Sequence, residues 1–257
     1  MDQTALTGEL VDLARRAGAV ILRIYEGDFT PQRKVDQSPV TDADVAAERV
    51  ILDGLASLTP EIPVVAEEQA AAKGLPTGTP TMFWLVDPLD GTREFIARNG
   101  EFTVNIALIV DGVPVLGVVH LPVLGVTYAG VAGHAERRQG DAPAERIGVR
   151  PTPADGAIMT ISRSHAAQEL ARAETMGEPI AGTVVAGSSL KFCRVAEGAA
   201  DLYPRFGPTM EWDTAAGQAV LENAGGSVTT LDGSPLRYGK PGLRNPHFIA
   251  RGRRAAG

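Results

Sequence analysis

The chain has 257 residues, 44% hydrophobic and 21% charged, with 29 Gly and 18 Pro dispersed along it; this balance excludes a disordered or fibrous chain and leaves room for a core and a cleft. A net charge of −7 with no basic cluster excludes a general nucleic-acid binder, and the single cysteine, Cys193, excludes an internal disulfide or a multi-cysteine metal site. No apolar run approaches membrane-spanning length, and the first nine residues, with Asp2 and Glu9, carry no export signal. The expected location is therefore the cytoplasm, with peripheral attachment to the cytoplasmic side of the inner membrane as the alternative.

Apolar Leu6, Leu10, Leu13, Ala17, Ile21 and Ile24 recur at helical spacing and predict a helix over 4–25 that ends near Gly27. A polar loop at 34–40, predicted to be mobile, precedes Thr41, which caps a second helix reaching toward Pro60. Short apolar runs bounded by Gly and Pro predict strands at 62–66, 82–86, 102–110, 113–120 and 123–131, with hairpin turns at Asp111-Gly112 and Pro122. Arg150-Pro151-Thr152-Pro153 breaks the pattern and divides the chain into 1–150 and 151–257. Beyond it, strands at 158–162, 183–186 and 200–203 alternate with helices at 166–176, 190–197 and 214–223, Cys193 reads as a buried small apolar residue, and the tail from Arg251 is expected to fray. The fold class is α+β, built from packed α/β layers.

The densest chemical signal is Trp84-Leu85-Val86-Asp87-Pro88-Leu89-Asp90-Gly91-Thr92, an apolar strand that ends in two acids three apart within a proline–glycine turn. Pro88 fixes its φ and Gly91 permits a tight bend, so both carboxylates and the Leu89 carbonyl can face one small volume. Oxygen donors without nearby His or Cys suit magnesium rather than zinc. Taken alone, the same turn also reads as two carboxylates that accept local backbone N–H groups. Glu67-Glu68 again places acids at a strand end, or is a solvated pair; Asp213 opens a helix, or merely caps it; Asp44 reads as a surface acid in a first helical turn. Lys191, one of four lysines, follows the small-residue turn Gly187-Ser188-Ser189, a kind of turn that exposes N–H groups to an anion.

Asp87-Pro88-Leu89-Asp90-Gly91-Thr92, then Trp212-Asp213-Thr214-Ala215-Ala216-Gly217, with Glu67 upstream, resemble the paired signatures of the lithium-sensitive, magnesium-dependent phosphatases of the inositol monophosphatase superfamily. The similarity runs over nearly the whole chain. In Gly91-Thr92-Arg93-Glu94-Phe95, Ser162-Arg163-Ser164-His165 and Gly187-Ser188-Ser189-Leu190-Lys191-Phe192 it is greatest to the bacterial 3′(2′),5′-bisphosphate nucleotidases.

This resemblance implies a sugar-phosphatase fold with αβαβα layers. It implies two or three Mg2+ ions, one on Glu67, Asp87 and the Leu89 carbonyl, one on Asp87, Asp90 and Asp213, and any third on Glu67 and water. A metal-activated water would be oriented by Thr92 and Asp44, with Glu67 assisting, and Gly91 and Thr92 would cradle the reacting phosphate. Ser162, His165, Gly187, Ser188, Lys191, Arg205 and Asp213 would contact the nucleotide. The expected reaction is hydrolysis of 3′-phosphoadenosine 5′-phosphate to AMP and phosphate, clearing a by-product of sulfate assimilation. The expected enzyme is a monomer that takes a small-molecule nucleotide. Two alternatives stand: an inositol or fructose-bisphosphate phosphatase sharing the metal motifs, and a non-catalytic regulatory or binding protein on this fold.

Overall fold

A computed structural model of the chain describes residues 3–33, 39–76, 78, 80–163, 166–175, 177 and 179–253. Helix α1 (Gln3–Glu26) buries Leu6, Leu10, Leu13, Ala17 and Ile21 along one stripe, as its spacing predicts. Of the loop predicted at 34–40, residues 34–38 lie outside the described residues, while β1 (Gln32–Arg33) pairs with β2 (Pro39–Val40). Thr41 then caps α2 (Asp42–Leu58): its hydroxyl accepts from the Ala43 N–H, and its own N–H donates to the Asp44 carboxylate, a reciprocal capping box.

Strand β3 (Val64–Ala66) leads into a short helix, α3 (Glu67–Lys73), and β4 (Met82–Asp90) into another, α4 (Thr92–Ile96). Then come β5 (Thr103–Val110), β6 (Val113–Leu121), β7 (Val126–Val131), β8 (His134–Gln139) and β9 (Glu145–Arg146). Strands β3 to β9 form one seven-stranded sheet in sequence order, antiparallel except for the β3–β4 pair. The second part contributes β10 (Ala157–Ile161), α5 (Ala166–Thr175), β11 (Ile180–Val185), α6 (Leu190–Ala196), β12 (Leu202–Arg205), α7 (Ala215–Asn223), β13 (Ser227–Thr230) and β14 (Phe248–Arg251). Its five strands are ordered β11-β10-β12-β14-β13.

Alternation along β4 and β5 decides the layering. Trp84, Val86, Ile106 and Leu108 face α1 and α2, whereas Phe83, Leu85, Ala107 and Ile109 face α6, α7 and the small sheet. On the far side of the small sheet, Met159, Ile161, Leu202 and Ile249 pack with Ala173 of α5. The result is the expected αβαβα stack. Cys193 is buried and unpaired by disulfide, as a small apolar residue would be. No helix among the described residues is long and apolar enough to cross a membrane.

Three expectations need correction. Strand β4 does not stop at Val86 but runs through Asp90, with its register to β5 shifting between Asp87 and Asp90. Pro88 has no N–H to give the ladder, so the chain bulges there and continues. The tail does not fray at Arg251: the Gly252 N–H donates to the Asp201 carbonyl at 2.9 Å, and Arg253 exchanges backbone hydrogen bonds with Arg150 and Thr152. Strands β8, β9, β13 and β14 were not predicted from the apolar runs; β8 carries His134, Glu136, Arg137 and Arg138, too polar to look like a strand until paired with β7.

Candidate active site

The bulge at Pro88 sets the site. Asp87 still pairs with Asn105 and Asp90 pairs with Thr103, so the bulge gathers the two acids and the Leu89 carbonyl at the mouth of the sheet. Gly91 turns the chain with φ 95°, a left-handed conformation open to glycine, and a Cβ there would stand 2.2 Å from Ser188 Oγ. Helix α4 starts at once with Thr92.

A cavity of about 890 Å³ opens over this turn, lined on its acidic side by Glu67, Asp87, Asp90 and Asp213 and on its other wall by Phe206, Met210, Arg244 and His247. Asp87 is buried, and Glu67, Asp90 and Asp213 are half-buried. Burial first, then the charges of Glu67, Asp90 and Asp213, pushes the Asp87 carboxyl well above the usual range, and Glu67 also shares a hydrogen bond with it. Burial, then Asp90 and Glu67, does the same for Asp213. Asp90 is raised to about 6 by burial, against the opposing charge of Lys191 and the Ser189 N–H.

These mutual shifts are the electrostatic signature of a site short of positive charge. Among the described residues no group of three acid, histidine or cysteine side chains is preset in a ligating arrangement. The like-charged carboxylates rest on backbone N–H groups: Asp87 on Leu89 at 3.0 Å, Asp90 on Ser189 at 2.7 Å and Asp213 on Met210 at 2.9 Å. The local-turn reading of Asp87 is thus correct as far as it goes, but the convergence of four acids from three elements exceeds it. Asp213 does not cap α7; its carboxylate reaches back to Met210. The donor set, all carboxylate and carbonyl oxygen, fits a hard divalent cation such as Mg2+.

Asp44 is not a surface acid. It is 1% exposed, takes the Thr41 N–H and hydroxyl on Oδ2 at 2.8 and 2.7 Å, and accepts the Thr92 hydroxyl on Oδ1 at 3.1 Å. The capping box that starts α2 therefore also aims a carboxylate at α4.

A smaller cavity of about 210 Å³ adjoins the acids and is lined by Gly91, Ser162, Gly187, Ser188, Lys191 and Arg205, among others. With Asp90 and Asp213, which line it too, eight residues singled out from the sequence meet there; His165 lies outside the described residues. Two details differ from expectation. The N–H of Ser189 serves the Asp90 carboxylate rather than a bound anion. Lys191 is buried, donating to the Ala186 carbonyl at 3.2 Å over the Tyr203 ring; burial lowers its pKa, and Asp90 acts to raise it. Ser162 anchors Glu169 through its N–H and hydroxyl.

Sequence reasoning missed Arg93, which lines both cavities, and Arg163, which lines the smaller one and pairs with Glu101 at 2.5 Å. An arginine in a polar stretch carries no signal of this kind before the fold brings it to a cavity wall.

The profile of the inositol monophosphatase family matches residues 2–255. The 3′(2′),5′-bisphosphate nucleotidase CysQ of Escherichia coli K12 is 49% identical over 253 residues, covering 93% of this chain and 97% of that protein. The enzyme of the same name from Salmonella typhimurium is 50% identical over 248 residues, with the same coverage. The crystal structure of CysQ from Bacteroides thetaiotaomicron, a bacterial member of the inositol monophosphatase family, superposes with a TM-score of 0.79 at 40% identity and 99% coverage of both chains. By sequence, by fold and by the acids gathered at its Pro88 bulge, this chain belongs to the inositol monophosphatase family.

Proposed function

We propose that this chain is a magnesium-dependent phosphomonoesterase that hydrolyses the 3′-phosphate of 3′-phosphoadenosine 5′-phosphate, releasing AMP and inorganic phosphate. The observation that carries the chemistry is the gathering of Glu67, Asp87, Asp90 and Asp213 on one wall of a cavity beside the Thr92–Asp44 hydrogen bond. The choice of substrate is supported by 49% identity to a bisphosphate nucleotidase over nearly its whole length.

Glu67, Asp87, the Leu89 carbonyl, Asp90 and Asp213 would hold two or three Mg2+ ions. When bound, these supply the positive charge that offsets repulsion between the acids and a dianionic phosphate and favours ionisation of water. The remaining work belongs to the chain. Thr92 donates its hydroxyl hydrogen to Asp44, leaving its lone pairs to accept a hydrogen bond from the attacking water. Asp44, itself fixed by Thr41, holds that orientation and accepts through the Thr92 hydroxyl the proton that the attacking water loses. Gly91 and Thr92 present backbone N–H groups to the phosphoryl oxygens. The water oxygen forms a bond to phosphorus as the bond to the ribose 3′ oxygen breaks; the water's proton passes by way of the Thr92 hydroxyl to Asp44, and the ribose oxygen is protonated from solvent. Gly187, Ser188, Lys191 and Arg205 frame the smaller cavity, which suits the second, unreacting phosphate.

The two parts of the chain, 1–150 and 151–257, divide this labour: the first supplies most of the acids and the second supplies Asp213 and most of the lining of the second-phosphate cavity. We place the activity in the cytoplasm, in clearance of a sulfate-assimilation by-product, with the chain working as a monomer. Turnover of 3′-phosphoadenosine 5′-phosphate, inositol 1-phosphate and fructose 1,6-bisphosphate with Mg2+ tests the reading. The nucleotide should have the highest kcat/KM, and a preference for either of the others would overturn the assignment.

A further inference from the structure

Helix α2 carries two buried acids about one turn apart, Asp44 and Glu48, at 1% and 6% exposure. Asp44 has its task in the Thr92 hydrogen bond. Glu48 has none in the chemistry described so far, and burying a carboxylate is costly unless it is well partnered. Its Oε2 accepts the backbone N–H of Glu68 at 2.7 Å. That N–H belongs to the first turn of α3, where an N–H has no partner inside the helix, and Ala66, which precedes the helix, supplies no side-chain cap. The acceptor comes instead from α2.

We propose that Glu48 is a positioning residue for Glu67, fixing the direction in which that carboxylate meets the cation; this rests on the metal-dependent reading above. The Glu68 N–H lies in the rigid peptide plane that also holds the Cα and carbonyl of Glu67. Holding that N–H therefore fixes the backbone on the C-terminal side of Glu67. The N-terminal side is fixed already, because Ala66 pairs with Val86 in the β3–β4 ladder, next to Asp87. With both flanking peptides held, Glu67 keeps only its side-chain rotations on the acidic wall of the large cavity. A carboxylate suits the task, since a hydrogen bond to an ionised acceptor is shorter and stronger than one to a neutral group. Asp44 and Glu48 stand at i and i+4 and share one face of α2. One helix thus sets the Thr92 hydroxyl, which orients the water, and the Glu67 carboxylate, which faces the cation, at a common spacing.

The test uses the full chain and two variants that separate the acceptor from the bulk. Glu48→Leu removes the acceptor and keeps most of the volume, while Glu48→Gln keeps an acceptor oxygen at the same reach. Mn2+, a paramagnetic substitute for Mg2+, is titrated into each protein without substrate and followed by electron paramagnetic resonance; turnover of 3′-phosphoadenosine 5′-phosphate is measured against Mg2+ in parallel. Glu48→Leu should weaken Mn2+ binding and raise the half-saturating Mg2+ concentration, each by about tenfold, the usual cost of losing a group that orients a metal ligand. Glu48→Gln should stay within about threefold of wild type in both, because its carbonyl oxygen still accepts the Glu68 N–H. The nucleotide KM at saturating Mg2+ should move little in either, since Glu48 lines neither the acidic cavity nor the smaller one. Glu48→Ala, which also lacks the acceptor but adds no apolar bulk, must behave as Glu48→Leu does. Partial unfolding alone lowers the amplitudes and leaves both midpoints in place, and that result would overturn the proposal. So would Glu48→Gln as impaired as Glu48→Leu; either outcome leaves the metal-dependent reading intact. A wild-type chain that binds no Mn2+ and turns over equally without Mg2+ would overturn both.

Discussion

Asp90 bears several demands at once: it ends β4, accepts the Ser189 N–H, and stands among Asp87, Asp213 and Lys191. Its raised pKa means that, without a cation, its charge is held against the preference of its surroundings. Asp90→Asn keeps the size and the acceptor for Ser189 while removing that charge. Melting of the metal-free variant should match or exceed wild type, whereas turnover at saturating Mg2+ should fall well over tenfold, a loss above about 1.4 kcal/mol. Retention of a tenth of the activity would remove Asp90 from the ligand set. That residue was legible in the sequence because Pro88 and Gly91 constrain their neighbours through their own backbone chemistry. Arg93 and Arg163 were not, since their place on a cavity wall depends on what stands opposite them across it.

The elements were legible where apolar spacing or a cap marks them. Helix α1 is written in its stripe and α2 in its Thr41–Asp44 box, but the box looked like a cap alone until α4 brought Thr92 against it. Strands β8 and β13 were hidden because polar residues alternate poorly with apolar ones there, and pairing with neighbours, not propensity, makes them strands. The seat of α1 has its own consequence. His120 of β6 is buried beneath Gly18, hydrogen-bonded through Nδ1 to Thr127, its register partner on β7, at 2.9 Å. Burial, with Arg15 nearby, lowers its pKa from 6.5 to about 4. Because the folded value is the lower one, the stability it confers is present above pH 6.5 and is lost as pH falls toward 4, by up to about 3 kcal/mol. Urea unfolding at pH 7.5, 5.5 and 4.5 should show that slope, and His120→Gln should flatten it. Parallel pH profiles for the two proteins would count against His120 as the source.

At the scale of the whole molecule, α7 forms with α6 the layer between the two sheets, and it begins two residues after Asp213. Its closeness to the large sheet depends on two glycines that are direct register partners, Gly117 on β6 and Gly130 on β7. A Cβ on Gly117 would stand 2.5 Å from the Ala216 carbonyl oxygen, and one on Gly130 2.6 Å from Val220 Cα, so both obstacles are backbone and cannot rotate aside. Gly117→Ala must therefore push α7 outward, and the site's contribution from the second part of the chain moves with it. We expect a loss of roughly 1–3 kcal/mol in stability, together with a higher half-saturating Mg2+ concentration, because Asp213 no longer meets Asp87 and Asp90 at the same spacing. Trimming a neighbour should not help: Ala219→Gly removes the methyl 2.7 Å away but leaves the carbonyl in place. Gly8→Ala on α1, where nothing lies within 4 Å, is the matched control and should stabilise the helix by about 0.5–1 kcal/mol without touching the metal response. If Gly117→Ala lowers melting while its Mg2+ dependence stays that of wild type, the geometry of the acids is set within the large sheet alone and α7 serves only as packing.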